Sequence, residues 1–350
     1  MNGTYIPEVK VLILGVNGFI GNSLVRTILE RTDWEVSGID LADDKLDHSL
    51  GHPRFEFHAG DIAIDRDWVD ARIRTSDVVL PLVAIATPMA YVRQPLRVFE
   101  LTFEENLRVI RCCATHGKRL VFPSTSEVYG MCDEAEFLED HSKLVLGPIS
   151  KQRWIYACSK QLLDRVIWAY GEAGALEFTL VRPFNWIGPR LDDPQTAKEG
   201  SSRVVTQFIA NLVAGEPIKL VDGGRQRRCL TYIDDGIDAL LRILEDPQGR
   251  ARNQIFNIGS PDNEISMREL AQQLLRLFRQ HPLHRHDGSY SAIVDVGADD
   301  YYGPGYQDIV VRRPSIEKAR RLLGWEPRVT LESALRRTLE AYLESLAPAG

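Results

Sequence analysis

Short apolar runs and longer stretches of helical spacing alternate along the first half of this chain. Residues 10–15 hold four consecutive apolar positions, Val11 to Leu14, closed by Gly15, and a helical pattern follows over 19–32. A second run, 35–40, ends in an acid, Asp40, and others fall at 55–59, 77–84, 119–123 and 178–182. Helical stretches at 104–116 and 155–171 lie between them. A continuous apolar run suits a strand covered on both faces. Such strands alternating with helices predict an α/β fold, a Rossmann-type doubly wound parallel sheet.

After Pro183 the texture changes. Prolines and glycines become frequent, residues 255–258 read as a strand that rejoins the sheet, and 331–346 as a last helix. Residues 281–314 are rich in His, Asp, Tyr, Gly and Arg without clear period, which reads as a long functional loop. The expected division is a sheet domain over 1–182, rejoined by about 229–258, and a smaller C-terminal domain from 183–228 and 259–350.

The chain has 350 residues, 44% of them apolar and 26% charged, which excludes disordered and fibrous classes. A net charge of -7 gives no electrostatic reason to expect a nucleic-acid partner. No segment reaches the ~18 to 20 apolar residues of a membrane span, and residues 1–10 hold no signal-peptide run. Five cysteines, odd in number and unpatterned, fit a reducing compartment, so a cytoplasmic location is expected. His281, His284 and His286 have no partner cysteine nearby, and no metal is expected.

Chemistry enters first at Gly15-Val16-Asn17-Gly18-Phe19-Ile20-Gly21, between the first strand and the first helix. Glycines let the backbone turn tightly and approach a pyrophosphate at the positive end of a helix. A glycine triplet alone also makes plain turns. Here Asp40 closes the next strand, where a carboxylate accepts from both ribose hydroxyls and repels a 2′-phosphate, which favours NAD over NADP. Asp61-Ile62, after the 55–59 run, is expected to border the adenine. Tyr156 and Lys160 stand at i and i+4, so on a helix they share a face. An ammonium beside a phenol favours the phenolate, a base able to take a hydroxyl proton as hydride leaves its carbon. Tyr-x3-Lys is common by chance, but Ser126 follows the apolar run 120–123, placing a hydroxyl at a strand's C-terminal end.

These residues resemble the extended short-chain dehydrogenase/reductase family, which acts on nucleotide sugars. Within it the chain looks most like the UDP-glucuronic acid oxidative decarboxylases (UDP-4-keto-pentose synthases), which include the decarboxylase part of the bifunctional polymyxin-resistance protein. The likeness runs from about Lys10 to about Tyr342. It is carried by 11–22, by Leu80 to Pro88, by Phe122 to Met131, by Arg153-Trp154-Ile155-Tyr156 and by Arg182-Pro183-Phe184-Asn185-Trp186. Residues 1–9 are too few for that protein's formyltransferase domain, so formyl transfer is not expected.

The resemblance implies NAD as cofactor, with Gly15, Asn17, Gly18, Phe19, Ile20, Gly21, Asp40, Asp61, Ile62, Tyr156 and Lys160 holding it. It implies catalysis by Ser126, Glu127, Tyr156, Lys160 and Arg312. For UDP-glucuronic acid it implies Ala86, Tyr91, Arg153, Asn185, Lys219, Arg228 and Tyr306. The cations Lys219, Arg225, Arg227 and Arg228 read together as a diphosphate clamp. The implied reaction oxidises C4, after which the β-keto acid loses carbon dioxide, with release of a UDP-4-keto-pentose and NADH. Related dehydratases carry an aspartic acid where Ser126 stands, and serine is too weak an acid for their elimination. Two alternatives stay open: a UDP-xylose synthase, which reduces the ketone again, and a non-catalytic NAD-binding protein. Residues 104–116 and 155–171 correspond to helices that pair between subunits in related enzymes, so a homodimer is expected.

Overall fold

A computed structural model describes residues 9–192, 202–282 and 292–346. Seven strands form the main sheet: β1 (Lys10–Leu14), β2 (Glu35–Asp40), β3 (Phe55–Ala59), β4 (Val78–Pro81), β5 (Arg119–Pro123), β6 (Phe178–Pro183) and β7 (Gln254–Ile258). Their order is β7-β6-β5-β4-β1-β2-β3, and every pairing is parallel. The doubly wound parallel sheet expected from the pattern is present, and the 255–258 run does rejoin it. Its central strands are buried on both faces, one by Val11, Ile13, Val36 and Val121, the other by Leu12, Leu14, Ile39 and Phe122, while the edge strand β3 has no fully buried residue. That two-sided burial is why β1, β4 and β5 read as nearly unbroken apolar runs. Among the described residues no helix is long and apolar enough to cross a membrane.

Four helices matter for the site: α1 (Phe19–Arg31), α2 (Asn106–Thr115), α3 (Trp154–Glu172) and α4 (Val204–Ala214). The stretch expected as one helix over 104–116 enters α2 through a π-helical turn, Glu100–Glu105. The buried Asn106 explains the departure. Its side-chain amide donates to the carbonyls of Leu101 (3.2 Å), Thr102 (3.0 Å) and Val83 (3.1 Å), which ties this turn to the chain leaving β4.

Beyond the sheet, Trp186–Ile187 pairs with Thr231–Tyr232. Arg227–Cys229 pairs with both Glu264–Ser266 and Val311–Arg312. Within the stretch expected as a loop over 281–314, the described residues include regular structure. Ile293–Val296 pairs with Ile218–Val221, and Ala298–Tyr302 is helical. His284 and His286 lie outside the described residues. Among those described, no three His, Cys, Asp or Glu side chains are grouped to hold a metal ion.

The C-terminal edge of β5 and β6 is held by a buried polar network. The Arg182 guanidinium donates to Asp164 of α3 (3.2 Å) and to the Tyr129 hydroxyl (2.9 Å). Ser124 donates to the same Asp164 carboxylate (2.9 Å), and Tyr129 donates to Asn257 of β7 (2.7 Å). Removing one partner of a buried ion pair leaves the other charge uncompensated. Asp164→Ala should therefore lower the unfolding free energy by about 3 to 5 kcal/mol. Urea unfolding followed by circular dichroism checks it, and an unchanged midpoint would show the network to be energetically idle.

Candidate active site

β1 and β4 lie side by side, but their following segments leave in different directions, and a cleft of about 610 Å³ opens beyond the strand ends. Gly15 ends β1 with φ +88°, a left-handed conformation that glycine adopts without strain. Gly21 lies so close to this turn that a Cβ there would stand 2.5 Å from the Gly15 carbonyl oxygen. Alanine would force α1 away from β1. The first N–H groups of α1 have no intrahelical partners and face the cleft edge where Gly15, Gly18, Phe19, Ile20 and Gly21 stand. That cradle suits a dinucleotide diphosphate.

Asp40 closes β2 beside this loop. Its two carboxylate oxygens accept from the backbone N–H of Asn17 (2.9 Å) and of Leu41 (2.8 Å), while burial pushes its pKa upward. The Asn17 side chain is engaged elsewhere. Its amide donates to Asp44 (2.7 Å) and accepts from the Lys45 N–H (2.8 Å), so it pins the loop after β2. Asp61 accepts from Ala63 N–H (2.8 Å) within its own turn, and Ile62 is buried in the core. Asn17, Asp40, Asp61 and Ile62 cluster around the ends of β2 and β3, outside the lining of the cleft proper.

The other expected residues, Ser126, Glu127, Tyr156, Lys160, Arg312, Ala86, Tyr91, Arg153, Asn185, Lys219, Arg228 and Tyr306, all line that one cleft. Ser126 and Glu127 open a short 3-10 turn whose cap, Thr125, accepts from the Glu127 N–H (3.2 Å). Thr125 also bonds Tyr156, whose ring stacks on Tyr91 at 4.8 Å and 6°. Burial, then Glu127, push the Tyr156 pKa upward, and Arg203 and Arg312 oppose them. Lys160 lies one turn along α3. Its ammonium donates to the Pro123 carbonyl (2.7 Å) and sits over the Phe122 ring, and burial lowers its pKa to about 8 against the pull of Asp164.

Three guanidinium groups converge on the Ser126 side of the cleft. Arg153 and Arg312 flank Glu127 at 3.3 and 3.5 Å, and Arg228 pairs with Asp308 at 2.7 Å. Arg312 also donates to the Ser126 hydroxyl (3.3 Å). Burial, then the neighbouring Arg228, lower the Arg312 pKa to about 10. Three cations against two carboxylates leave one positive charge in a buried place, which is a site for an anion. Arg153 is further held over the Trp154 ring (4.5 Å) and Tyr306 (5.7 Å), and Tyr306 stacks on Tyr302 at 4.0 Å.

The four-cation cluster expected over 219–228 is divided, and this corrects the reading of a single clamp. Lys219 and Arg228 line the cleft, but Arg227 turns away to Glu264 (3.1 Å) and Glu269 (3.3 Å), and Arg225 is not among the lining residues. Arg227 and Arg228 are successive residues of one strand, so they point to opposite faces. The sequence reading also passed over Asp308, Tyr302 and Arg203, all on the cleft wall. The first two lie in the 281–314 region, where no period marked them.

The chain matches the model of the NAD dependent epimerase/dehydratase family over residues 11–259. In the structure of PbgP3 protein from Burkholderia pseudomallei the similarity is 53% identity over 96% of each chain, with a TM-score of 0.85. DesIV, a dTDP-glucose 4,6-dehydratase from Streptomyces venezuelae solved with NAD and TYD bound, is 26% identical over 96% of this chain and 97% of that one, with a TM-score of 0.80. A UDP-glucuronic acid 4-epimerase from Bacillus cereus is 21% identical over 97% of this chain and all of that one, with a TM-score of 0.79, a likeness of fold. The chain belongs to the NAD dependent epimerase/dehydratase family, and its cofactor is NAD.

The Lys160 shift makes a linkage prediction. An unfolded lysine keeps its proton to about pH 10.5, whereas the folded one releases it near pH 8. Between those values the unfolded chain binds the extra proton, so this group's contribution to stability rises with pH. Lys160→Met removes the term. The unfolding free energy of the parent minus that of the variant should climb from about pH 8 to about pH 10.5. A flat difference would mean the ammonium is not desolvated.

Proposed function

We propose that this enzyme oxidises UDP-glucuronic acid at C4 and releases its C6 carboxylate as carbon dioxide, leaving a UDP-4-keto-pentose. The observation that carries the reading is the surplus positive charge beside Ser126, where Arg312 and Arg153 share the one carboxylate of Glu127. With Arg228 on the UDP side, the charge left over at the sugar is that of Arg153 and Arg312 around one carboxylate, and a uronic acid, unlike a neutral hexose, brings an anion to that end. The UDP-glucuronic acid 4-epimerase of the same fold was solved with a fluorinated UDP-glucuronic acid and NAD, which supports the substrate class.

When bound, NAD supplies the hydride acceptor. Gly15, Gly18, Phe19, Ile20 and Gly21 would hold its diphosphate, Asp40 its ribose, Asp61 and Ile62 its adenine side, and Lys160 and Tyr156 its reactive end, with Asn17 fixing the loop beside Asp40. Ser126 orients the C4 oxygen, and Tyr156 takes the C4 hydroxyl proton. The C4 ketone is β to the carboxylate, so the C5–C6 bond breaks with its electron pair moving into an enolate. Arg312 grips the carboxylate, and with Glu127 it stands where C5 must be reprotonated. Ala86, Tyr91, Asn185, Lys219, Arg228 and Tyr306 hold the UDP portion. The same site serves a UDP-xylose synthase if the ketone is reduced again before release.

Mass analysis of the products from UDP-glucuronic acid plus NAD is the direct test. A UDP-4-keto-pentose with carbon dioxide and NADH is expected. UDP-xylose would assign the reductive alternative, and a 4-epimer with no carbon dioxide would overturn decarboxylation. Tyr156→Phe should suppress NADH and carbon dioxide together by about 10²- to 10⁴-fold. Arg312→Ala should cut carbon dioxide release more than the first burst of NADH absorbance. Normal turnover and normal substrate affinity in that variant would remove Arg312 from the mechanism.

We also propose a homodimer through α2 and α3. On α3, Cys158, Leu162, Arg165 and Trp168 face outward at helical spacing, a largely apolar stripe. Light scattering at micromolar concentration should give twice the chain mass, and Leu162→Glu should shift it toward the single-chain value. A parent protein of single-chain mass would overturn the pairing.

A further inference from the structure

The lysine of the proposed reaction is buried among uncharged partners. Lys160 is 1% exposed. Its ammonium donates to the Pro123 carbonyl (2.7 Å) and stands 4.4 Å from the centre of the Phe122 ring. Both partners lie on β5 and neither carries a charge. Burial drives such an ammonium toward its neutral form. A neutral lysine brings no positive charge to Tyr156, so another group must hold the proton in place.

The charged and titratable groups packed around this part of α3 divide by element. On α3 itself Lys160 stands between Tyr156, one turn before, and Asp164, one turn after, a spacing that brings Cβ atoms to about 5 to 6 Å. From β6 comes Arg182, whose Nη2 donates to the Asp164 carboxylate at 3.2 Å. Just after β5, Ser124 donates to the same carboxylate at 2.9 Å, while Glu127 acts on Tyr156. The acids of the π-helical turn are engaged elsewhere, Glu100 with Arg97 and Glu105 with Arg66 and Arg108. Among the described residues, the charge that acts on Lys160 is that of Asp164.

We propose that Asp164 is a positioning residue for hydride transfer, a buried counter-charge that keeps Lys160 a cation beside Tyr156. Its place is built in, because Arg182 and Ser124 both bond its Oδ2. Oδ1 is buried and has no hydrogen-bond partner among the described residues, so those two bonds do not use up the carboxylate. Two buried cations, Arg182 and Lys160, thus share one buried anion. They do not depend on it equally. A guanidinium keeps its proton throughout the working range, whereas a desolvated ammonium gives one up readily. Loss of the carboxylate is therefore met at Lys160, which turns neutral while Arg182 stays charged. The network that ties β6 to α3 in this way also sets the charge at the reacting end of the cleft.

The inference rests on the hydride transfer of the proposed function and is independent of the decarboxylation that follows it. The alkaline limb of the burst of NADH formed from UDP-glucuronic acid and NAD reads the charge on Lys160. Asp164→Asn keeps the shape and an oxygen for Ser124 and Arg182. Its limb should fall about one pH unit or more below that of the parent, the usual effect of losing a nearby opposite charge. A rate lowered equally at every pH would leave Asp164 a structural bracket and overturn the assignment. Asp164→Glu restores the charge and should return the limb toward the parent position, and a limb left where Asp164→Asn puts it would also overturn it. Coupling between two charges is mutual, so a second measurement needs neither a folded Asp164 variant nor a substrate. In Lys160→Met, with aspartate labelled by carbon-13, the Asp164 carboxyl should take up its proton at a higher pH than in the parent. An unmoved titration there would sink the proposal. Absence of NADH from UDP-glucuronic acid in the parent would count against the proposed substrate instead, and the carboxyl titration would still decide the role of Asp164.

Discussion

A parallel sheet delivers the C-terminal ends of all its strands to one edge, and the site of this protein depends on that constraint. Gly15 follows β1, Asp40 ends β2, Ala86 and Tyr91 follow β4, Ser126 follows β5 and Asn185 follows β6. Residues up to 170 positions apart in sequence meet there because the fold has no other place to send them. The loops are free to vary in chemistry because the strands beneath are fixed by burial on both faces.

That edge is also where charge enters an otherwise apolar core. Lys160, Asp164, Arg182, Arg153 and Arg312 are all buried. Each has a specific partner that offsets part of the desolvation cost, and the remainder shows in the lowered pKa values of Lys160 and Arg312. Asp164 holds Arg182 and Ser124, Pro123 accepts from Lys160, and Glu127 stands between Arg153 and Arg312. One structural network and one reactive cluster therefore share the turn from Pro123 to Glu127. A substitution in either will be felt in the other, and stability and activity must be measured on the same variants.

What the sequence made legible follows the same physics. The run at 119–123 coincides with β5 because Leu120, Val121 and Phe122 are all buried and show no polar alternation, whereas β2 was marked by Val36, Ile39 and its closing Asp40. Tyr156 and Lys160 were visible because helical spacing fixes their shared face, and the glycine loop because a tight turn leaves few residue choices. The π-helical turn before α2 was not visible, since it depends on Asn106 reaching the carbonyl of Val83, a partner 23 residues away. The strand Ile293–Val296 was hidden for a similar reason. Its partner, Ile218–Val221, lies in a different stretch, and four residues in a polar region carry little period of their own. The misjudged cluster over 219–228 was avoidable, because a period of two already separates Arg227 from Arg228. Arg203 left no signal at all. It sits at a helix start where arginine is unremarkable, and only the folded chain sets it over Phe19.

The placement of cations also bears on which chemistry the proposed site favours once a ketone has formed at C4. Expelling a group from C6 by elimination requires a proton donor beside the leaving oxygen. Here the residue at that end is Ser126, whose hydroxyl accepts a hydrogen bond from Arg312, and the adjoining carboxylate of Glu127 lies between two guanidinium groups. Loss of carbon dioxide makes a different demand. The carboxylate must be held while it is anionic and then let go as a neutral gas, so the positive charge is useful before the bond breaks and loses its partner afterwards. A guanidinium already depressed toward the titration range by burial and by Arg228 is less firmly tied to its proton than a solvated one. Under the proposed reading, the crowding that draws in the uronate therefore also eases Arg312 toward a role in delivering the C5 proton, and one electrostatic arrangement serves both halves of the reaction.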